Sequence, residues 1–468
     1  MESIETQTTL YHRVFIIIYA MFMSRVSAAL RSERLLVLFT YMLKEMQEKL
    51  QNRFARTMFA VIAAIAVFFP VNGQTPDENF LAGCAYFKTG QNAKAIERFT
   101  LAISRNNANE QLFIKRGEVF LVLKDFESAI KDFNEANSIY PGVSNLWLAR
   151  TCALSGDTEK AISHLKNHLE SEFRLPEDSI KKDPAFDGIQ TTTQWYTLWE
   201  KEWYNSEEKA AAEVNYYNKK KLYDEAISFL NNEIAQNPAS HLLVSLRGKV
   251  YFNQGNYAAA IADYTASLNM DKKNAGAKGG YPAGKAGAGG GFAARGLAYL
   301  KAERYKDAIN DFSKAIKDNP ENFDLYLQRA EAYAGLQSWE PAIKDVQLYL
   351  KYFENDQHAL YRCGEFYYGS EDYMNALKFF NRNLKDDPNN SIDYKARGKT
   401  YLKTSTYHYA INDLSMSLDL NPEDAETWMY LGIAKIQSGD KENGCSDLEK
   451  AQRMGNAEAL KYIVESCR

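Results

Sequence analysis

Histidine is scarce in this chain, with six among 468 residues, and the scarcity removes most histidine-based chemistry. The one close pair, His164 and His168, has the i, i+4 spacing that can grip a metal on a helix, with Glu170 just behind it. No third ligand is evident and no HExxH occurs, so solvated helix residues are the expected reading. Cysteine is sparse too, and its count of five is odd, which argues against a complete disulfide framework. A net charge of −4 gives no bias towards nucleic acid. There is no serine elbow, no Cys–His nucleophile signature and no dinucleotide fingerprint. Carboxylates are plentiful but scattered over polar faces. No catalytic, cofactor-binding or metal-ligating residue is therefore assigned. Long apolar runs are also missing: the twelve residues Met58 to Phe69 fall short of the roughly 20 that span a bilayer.

That short run has its own meaning. Arg53 and Arg56 precede it, and Pro70-Val71-Asn72-Gly73 leads out of it to Gln74. Basic, apolar and small-residue parts in that order make residues 46–73 signal-like, with Met46 as a conventional start. Residues 1–45 are an extension with two further apolar runs, Val14 to Met23 and Leu35 to Leu43, which would permit a membrane anchor if retained. Export to a periplasmic or extracellular compartment is the expectation, and membrane anchoring the alternative.

From residue 76 onward the chain keeps a 34-residue beat. Gly83, Tyr86, Ala95, Phe99 and Ala102 return as Gly117, Phe120, Ala129, Phe133 and Ala136, then Pro141. Later copies carry Gly248, Gly296, Gly364 and Gly398 with the same followers, and the last carries Trp428, Leu431, Gly432, Leu448 and Ala451. With the glycine as position 8, units start at 76, 110, 207, 241, 289, 323, 357, 391 and 425. Each reads as two helices, A and B. Small residues at positions 8 and 20 let them cross closely, and aromatics at 11 and 24 fill the space beside the crossing. Arg at position 7 and Asp at position 23 occur together five times, from Arg116 and Asp132 to Arg397 and Asp413, which predicts that they meet between A and B.

This pattern resembles the tetratricopeptide repeat: Trp-x2-Leu-Gly-x2-Tyr, then Ala-x3-Phe, then Pro. The resemblance covers residues 76–468 and implies an all-α solenoid, a right-handed superhelix of helix-turn-helix repeats acting as a non-enzymatic protein–protein interaction scaffold. A membrane-anchored adaptor or assembly factor is the alternative, and a metal-dependent hydrolytic enzyme a distant one. Repeats occupy 76–172, 207–274 and 289–468, the last stretch holding five with a capping helix. A third, degenerate repeat is expected near 142–172.

Two segments break the beat. Residues 173–206 form a Trp/Tyr-rich connector in which Trp195, Trp199 and Trp203, four apart, are expected on one helical face buried against a neighbour. It is similar to a non-repeat element of secreted bacterial members of the family. Residues 275–288, rich in Gly, Ala and Lys, read as a flexible insertion that removes the first turn of the next helix A. Its Gly279-x4-Gly284-Lys285-Ala286 nearly matches a phosphate loop, but Ala286 stands where Ser or Thr is needed. Leu81-Ala82-Gly83-Cys84 spells a lipoprotein box, yet a polar stretch parts it from the apolar run and it is already positions 6 to 9 of the first repeat.

The resemblance further implies a concave groove lined by helix A at positions 2, 5, 9, 12 and 13. Carried over, these include Tyr361, Glu365 and Tyr368, then Lys395, Lys399 and Lys403, then Ile433. Three lysines at i, i+4 and i+8 repel one another, which suggests an acidic protein or peptide partner. Tyr361 and Glu365 stand where chaperone-tail-binding members carry Lys and Asn, so that ligand class is not expected. Cys445 lies early in the last helix B and Cys467 near the end of the final helix. Antiparallel helices could bring them together, and in an oxidising compartment a bridge is predicted.

Overall fold

The computed structural model describes residues 77–274 and 288–467. The N-terminal extension, the signal-like segment and nearly all of the Gly/Ala/Lys insertion, with its near-phosphate loop, lie outside them. The described residues are helical throughout and carry no strand. None of their helices is long and apolar enough to cross a membrane.

Helices come in antiparallel pairs, each packing on its own partner and then on the next pair. Repeat 1 is Glu78–Lys88 with Asn92–Arg105, and repeat 2 is Glu110–Val122 with Phe126–Ile139. Asn145–Leu154 with Thr158–Glu170 forms the degenerate third pair, and Ser206–Lys220 with Tyr223–Gln236 the fourth. His241–Gln254 with Tyr257–Asn274 is repeat 5, and Ala288–Lys301 with Tyr305–Asp318 is repeat 6. Helix A of repeat 6 runs from Ala288 without losing its first turn, contrary to the expectation for the insertion. Gly291 lies where a side chain has no room: a Cβ on it would be 2.8 Å from Leu268. Asp324–Gly335 with Trp339–Leu350, Gln357–Gly369 with Tyr373–Asp386, and Ser391–Lys403 with Tyr407–Leu420 make repeats 7 to 9. Repeat 10 is Ala425–Gln437 with Lys441–Arg453, capped by Ala459–Ser466.

Position 8 shows why the beat exists. A Cβ on Gly83 or Gly117 would sit 2.6 Å from the ring of Phe99 or Phe133, and one on Gly364 2.5 Å from Phe380. Those rings and the alanines at position 20 (Ala95, Ala129, Ala308, Ala376) are fully buried, so the A–B crossing is a close-packed core with no room for a side chain. The A–B turn needs one residue in the left-handed region, at position 15. Glycine fills it at 90, 255 and 439, but Lys124, Lys221, Glu303, Gln337, Glu371 and Ser405 adopt it elsewhere. An aspartate then caps helix B in several repeats: the Asp125, Asp157, Asp372 and Asp440 carboxylates accept from backbone N–H groups of the first turn.

All five Arg–Asp pairs meet as two-pronged ion pairs, for example Arg116 Nε to Asp132 Oδ2 at 2.8 Å and Nη2 to Oδ1 at 2.7 Å. They are not surface pairs: the Asp311 side chain is 1% exposed and Arg295 13%. The third nitrogen of each arginine reaches back to the preceding helix B, at Thr100, Asn231, Thr265, Ser313 and Asn381. Each arginine thus ties three helices, its own A and B and the previous B. In the last repeat, where position 7 is not arginine, Lys435 takes over and pairs with Asp447 at 2.6 Å.

The connector folds as core. A helix at Thr193–Glu200 carries Trp195 and Trp199, but it ends before Trp203, so the three tryptophans do not share one helix. Trp195 and Trp203 are buried with Ile180, Phe186 and Ile189 against Leu165 and Leu169 of repeat 3. The Trp203 indole N–H donates to the Leu198 carbonyl at 2.7 Å.

Candidate functional site

Of the residues predicted on helices A of repeats 8 to 10, Tyr361 contacts Glu365, and Lys395 and Lys399 contact carboxylates of repeat 10. The Tyr361 hydroxyl donates to Glu365 at 2.8 Å, and burial, with Glu365 beside it, pushes the phenol well above its ordinary range. Glu365 also pairs with Arg362, which reaches Glu331 of repeat 7 as well. The lysine stripe is answered by carboxylates one repeat further on. Lys395 Nζ lies 3.0 Å from Asp424 and 2.9 Å from Glu426, and Lys399 Nζ lies 3.3 Å from Glu426. Burial pulls against the Lys395 ammonium, but these bonds outweigh it and hold its pKa above the usual lysine value. Burial likewise opposes the charged forms of Asp424 and Glu426, yet Lys395 and the Thr427 backbone keep Asp424, and Lys395 with Lys399 keep Glu426, below the ordinary carboxylate range. Two of the three stripe lysines are therefore charge-compensated within the groove, which the sequence reading did not foresee. The signal was present in Asp424 and Glu426, one repeat ahead of Lys395.

Aromatic rings frame this cluster. Lys399 Nζ stands 4.8 Å from the centre of the Tyr430 ring, whose hydroxyl is pushed up to about 12 by burial, with Glu426 adding to it. Tyr368 packs edge-on against Tyr373 at 5.7 Å and senses the charge of Lys399. Lys403 is exposed, and Ile433 packs within the terminal core. The site can hold a chain of mixed polarity, with cations, carboxylates and phenols in one strip.

Beneath it Asp393 is wholly buried and accepts from Asn383 Nδ2 at 2.8 Å. Burial pushes its carboxyl up to about 6. Its other oxygen and the Asn383 carbonyl have no partner. Sequence reasoning missed this pair because neither residue recurs with the beat.

The histidine pair is not a solvated face. His168 is buried and its Nε2 accepts from the Leu175 backbone N–H at 3.1 Å. Burial, then the Arg150 and Arg174 charges, lowers it to about 4. Among the described residues no three His, Cys, Asp or Glu side chains converge as metal ligands. Cys84 lies inside helix A of repeat 1 rather than at a chain terminus. Cys445 and Cys467 are joined by a disulfide, with Cα atoms 5.8 Å apart.

Antiparallel helix pairs stacked through shared arginines, with a polar strip on successive helices A, define a helical-repeat solenoid. Family matches agree on its kind. One described as "TPR repeat" covers residues 296–337, and two described as "Tetratricopeptide repeat" cover 80–144 and 245–274. The chain is a tetratricopeptide repeat protein. Similar curated proteins include Hsp70-Hsp90 organizing protein 2 of Arabidopsis thaliana, 28% identical over 96 residues, which are 20% of this chain and 17% of that protein. Serine/threonine-protein phosphatase 5 of Rattus norvegicus is 36% identical over 102 residues, covering 22% of this chain and 20% of its own. Human mitochondrial import receptor subunit TOM70 is 22% identical over 249 residues, covering 51% and 39%. The chain thus spans well under two thirds of each of these relatives. Among solved structures, a tetratricopeptide repeat protein from Parabacteroides merdae aligns at a TM-score of 0.43 and 21% identity, over 56% of this chain and 98% of that one.

Proposed function

We propose that this protein is an exported, non-enzymatic scaffold that binds a peptide segment of a partner protein along helices A of repeats 8 to 10. The observation that carries the reading is the Lys395–Lys399–Glu426 cluster between Tyr368 and Tyr430, where ion pairs with moderate exposure line one strip. An acidic side chain of the partner exchanges with Glu426 on the two lysines, and an aromatic or aliphatic neighbour lies against the tyrosines. Exchange of one carboxylate for another costs little net charge, so selectivity comes from the rings and from spacing. The Cys445–Cys467 bridge suits an oxidising compartment and supports export.

Titration of a fluorescent glutamate-rich peptide into the wild-type chain and into Lys395→Glu/Lys399→Glu tests the groove. The expected loss is about tenfold or more, greatest at low salt. Equal affinity overturns the reading. N-terminal sequencing of the native protein tests export: Gln74 as first residue supports it, and retention of the upstream apolar runs favours the membrane-anchored adaptor instead.

A further inference from the structure

The first repeat meets the seventh, away from the strip on repeats 8 to 10. Repeat 1 shares a hydrophobic core with repeat 7, more than two hundred residues away in sequence: Phe80 and Leu81 belong to the same cluster as Phe323 and Tyr349, with Cys84, Phe87, Tyr352 and Phe353 packed around it. Ion pairs edge this contact. Lys88 Nζ lies 3.6 Å from Asp324 and 5.2 Å from the centre of the Phe353 ring, and Lys351 Nζ lies 3.1 Å from Glu78. All four charged side chains of these two pairs are about half exposed or more, whereas Phe323 is almost inaccessible. An apolar centre with a solvated charged rim is the anatomy of an interface rather than of a repeat's own core.

The residues that repeat 1 contributes are informative. Cys84, Phe87 and Lys88 are positions 9, 12 and 13 of its helix A, the register of the groove strip described above, and Glu118 is position 9 of repeat 2. What meets them is not a helix face but the edge of repeat 7: the turn Glu321-Asn322-Phe323-Asp324 before its helix A and the Tyr352-Phe353 turn after its helix B. Deeper in, Lys115 grips Glu118 at 3.2 Å, and Glu321 lies within the field of both. Burial, with the Lys115 charge pulling the other way, pushes Glu118 and Glu321 upward, and burial raises the Cys84 thiol beside them.

We propose that the helix-A face of repeats 1 and 2 is a second binding site, for an acidic–aromatic segment, and that the chain's own Glu321–Asp324 edge occupies it in cis. The chemistry is complementary at the rim and in the apolar centre, while Glu118 opposes Glu321. Lys88 pairs with Asp324, Lys115 attracts Glu321 at longer range, and Phe87 and Cys84 pack in one apolar cluster with the Phe323, Tyr352 and Phe353 rings. The contact closes the solenoid on itself and masks the N-terminal groove. Its solvated rim pairs contribute only about 0–1 kcal/mol each, so the apolar centre supplies most of the contact's stability and the rim sets its register. The site is independent of the lysine cluster in repeats 8 to 10.

Carbodiimide cross-linking of the full chain reads the contact directly, since it joins only adjacent amines and carboxylates. Lys395–Asp424, at 3.0 Å within neighbouring repeats, is the internal control. Glu78–Lys351 and Lys88–Asp324 linked peptides are expected in the monomer fraction, together with the control. The control without either long-range link overturns the proposal, and so do those links confined to a dimer fraction, which would place a second copy in the site. Alkylation of Cys84 reads masking. Asp324→Lys is expected to speed it by about tenfold through local opening, and adding Lys88→Glu to restore the slow rate. A rate indifferent to both changes contradicts cis occupancy.

Discussion

Arg329 lays two nitrogens across the Asp345 carboxylate, each at 2.7 Å, and turns its third to the Ser313 hydroxyl at 3.1 Å. One side chain thereby joins helix A and helix B of repeat 7 to helix B of repeat 6. The same construction recurs four more times, so the solenoid is held by a periodic clamp as well as by its apolar crossings.

Removing the acidic half of a clamp leaves a largely buried guanidinium without its counter-charge. Asp311→Ala is expected to destabilise by about 3–5 kcal/mol. Replacing Arg295 and Asp311 together with Met and Leu should cost much less, since no charge is stranded. Urea unfolding of the three chains checks this, and a double variant as unstable as the single one would contradict it.

The left-handed turn residue offers the opposite sign. At position 15, Glu371 has φ +64° and Gln337 has φ +56°, a conformation that disfavours side chains. Glu371→Gly and Gln337→Gly should each stabilise by about 0.5–1 kcal/mol, because the relief of backbone strain exceeds the added unfolded-state entropy. The melting midpoint of each variant reads the effect. At position 8 the same exchange in reverse does harm. Gly364→Ala places a methyl 2.5 Å from Phe380 and should cost about 1–3 kcal/mol.

Acid should act in opposite directions at two buried groups. His168 has its folded pKa lowered to about 4 from an ordinary 6.5, so the unfolded chain takes up the proton first and stability is lost as pH falls between those values. Asp393 has its folded pKa raised to about 6 from 3.8, so the folded chain holds the proton better and stability is lost as pH rises through that window. Hydrogen exchange between pH 4 and 7 should therefore show helices 145–170 loosening on acidification while helices 373–403 tighten. His168→Gln and Asp393→Asn should each flatten the dependence in their own region alone. A uniform response across the chain would count against both assignments.

The Cys445–Cys467 bridge closes a loop with a sequence separation of 22 and ties the capping helix to the last helix B. Its removal by Cys445→Ser/Cys467→Ser should cost about 3 kcal/mol, felt locally in Ala459–Ser466. Limited proteolysis with and without reductant follows it, with early cleavage near residue 459 as the expected result.

Much of this was legible in the residues. Gly83 with Phe99, Ala95 between them and Arg116 with Asp132 all concern side chains within one repeat, and a contact that recurs every repeat leaves a period in the sequence. What does not recur was not legible. Trp203 looks continuous with Trp195 and Trp199, but the helix stops at Glu200 and the Trp203 indole donates to the Leu198 carbonyl. His168 reads as a surface residue because its hydrogen bond comes from the Leu175 backbone, which no side chain announces. Lys395 and Lys399 look like a bare cationic stripe until the next repeat sets Asp424 and Glu426 against them.

The sequence by itself determined the unit: two helices, a glycine-and-aromatic crossing, an arginine clamp and their repetition along the chain. Those features depend on neighbours one turn, one helix or one repeat away, and local spacing is enough to specify them. Only the tertiary structure decided that Phe80 and Lys88 meet Phe323 and Asp324. That outcome is the sum of the small rotations between successive repeats, and a sum over six steps leaves no mark at any one residue.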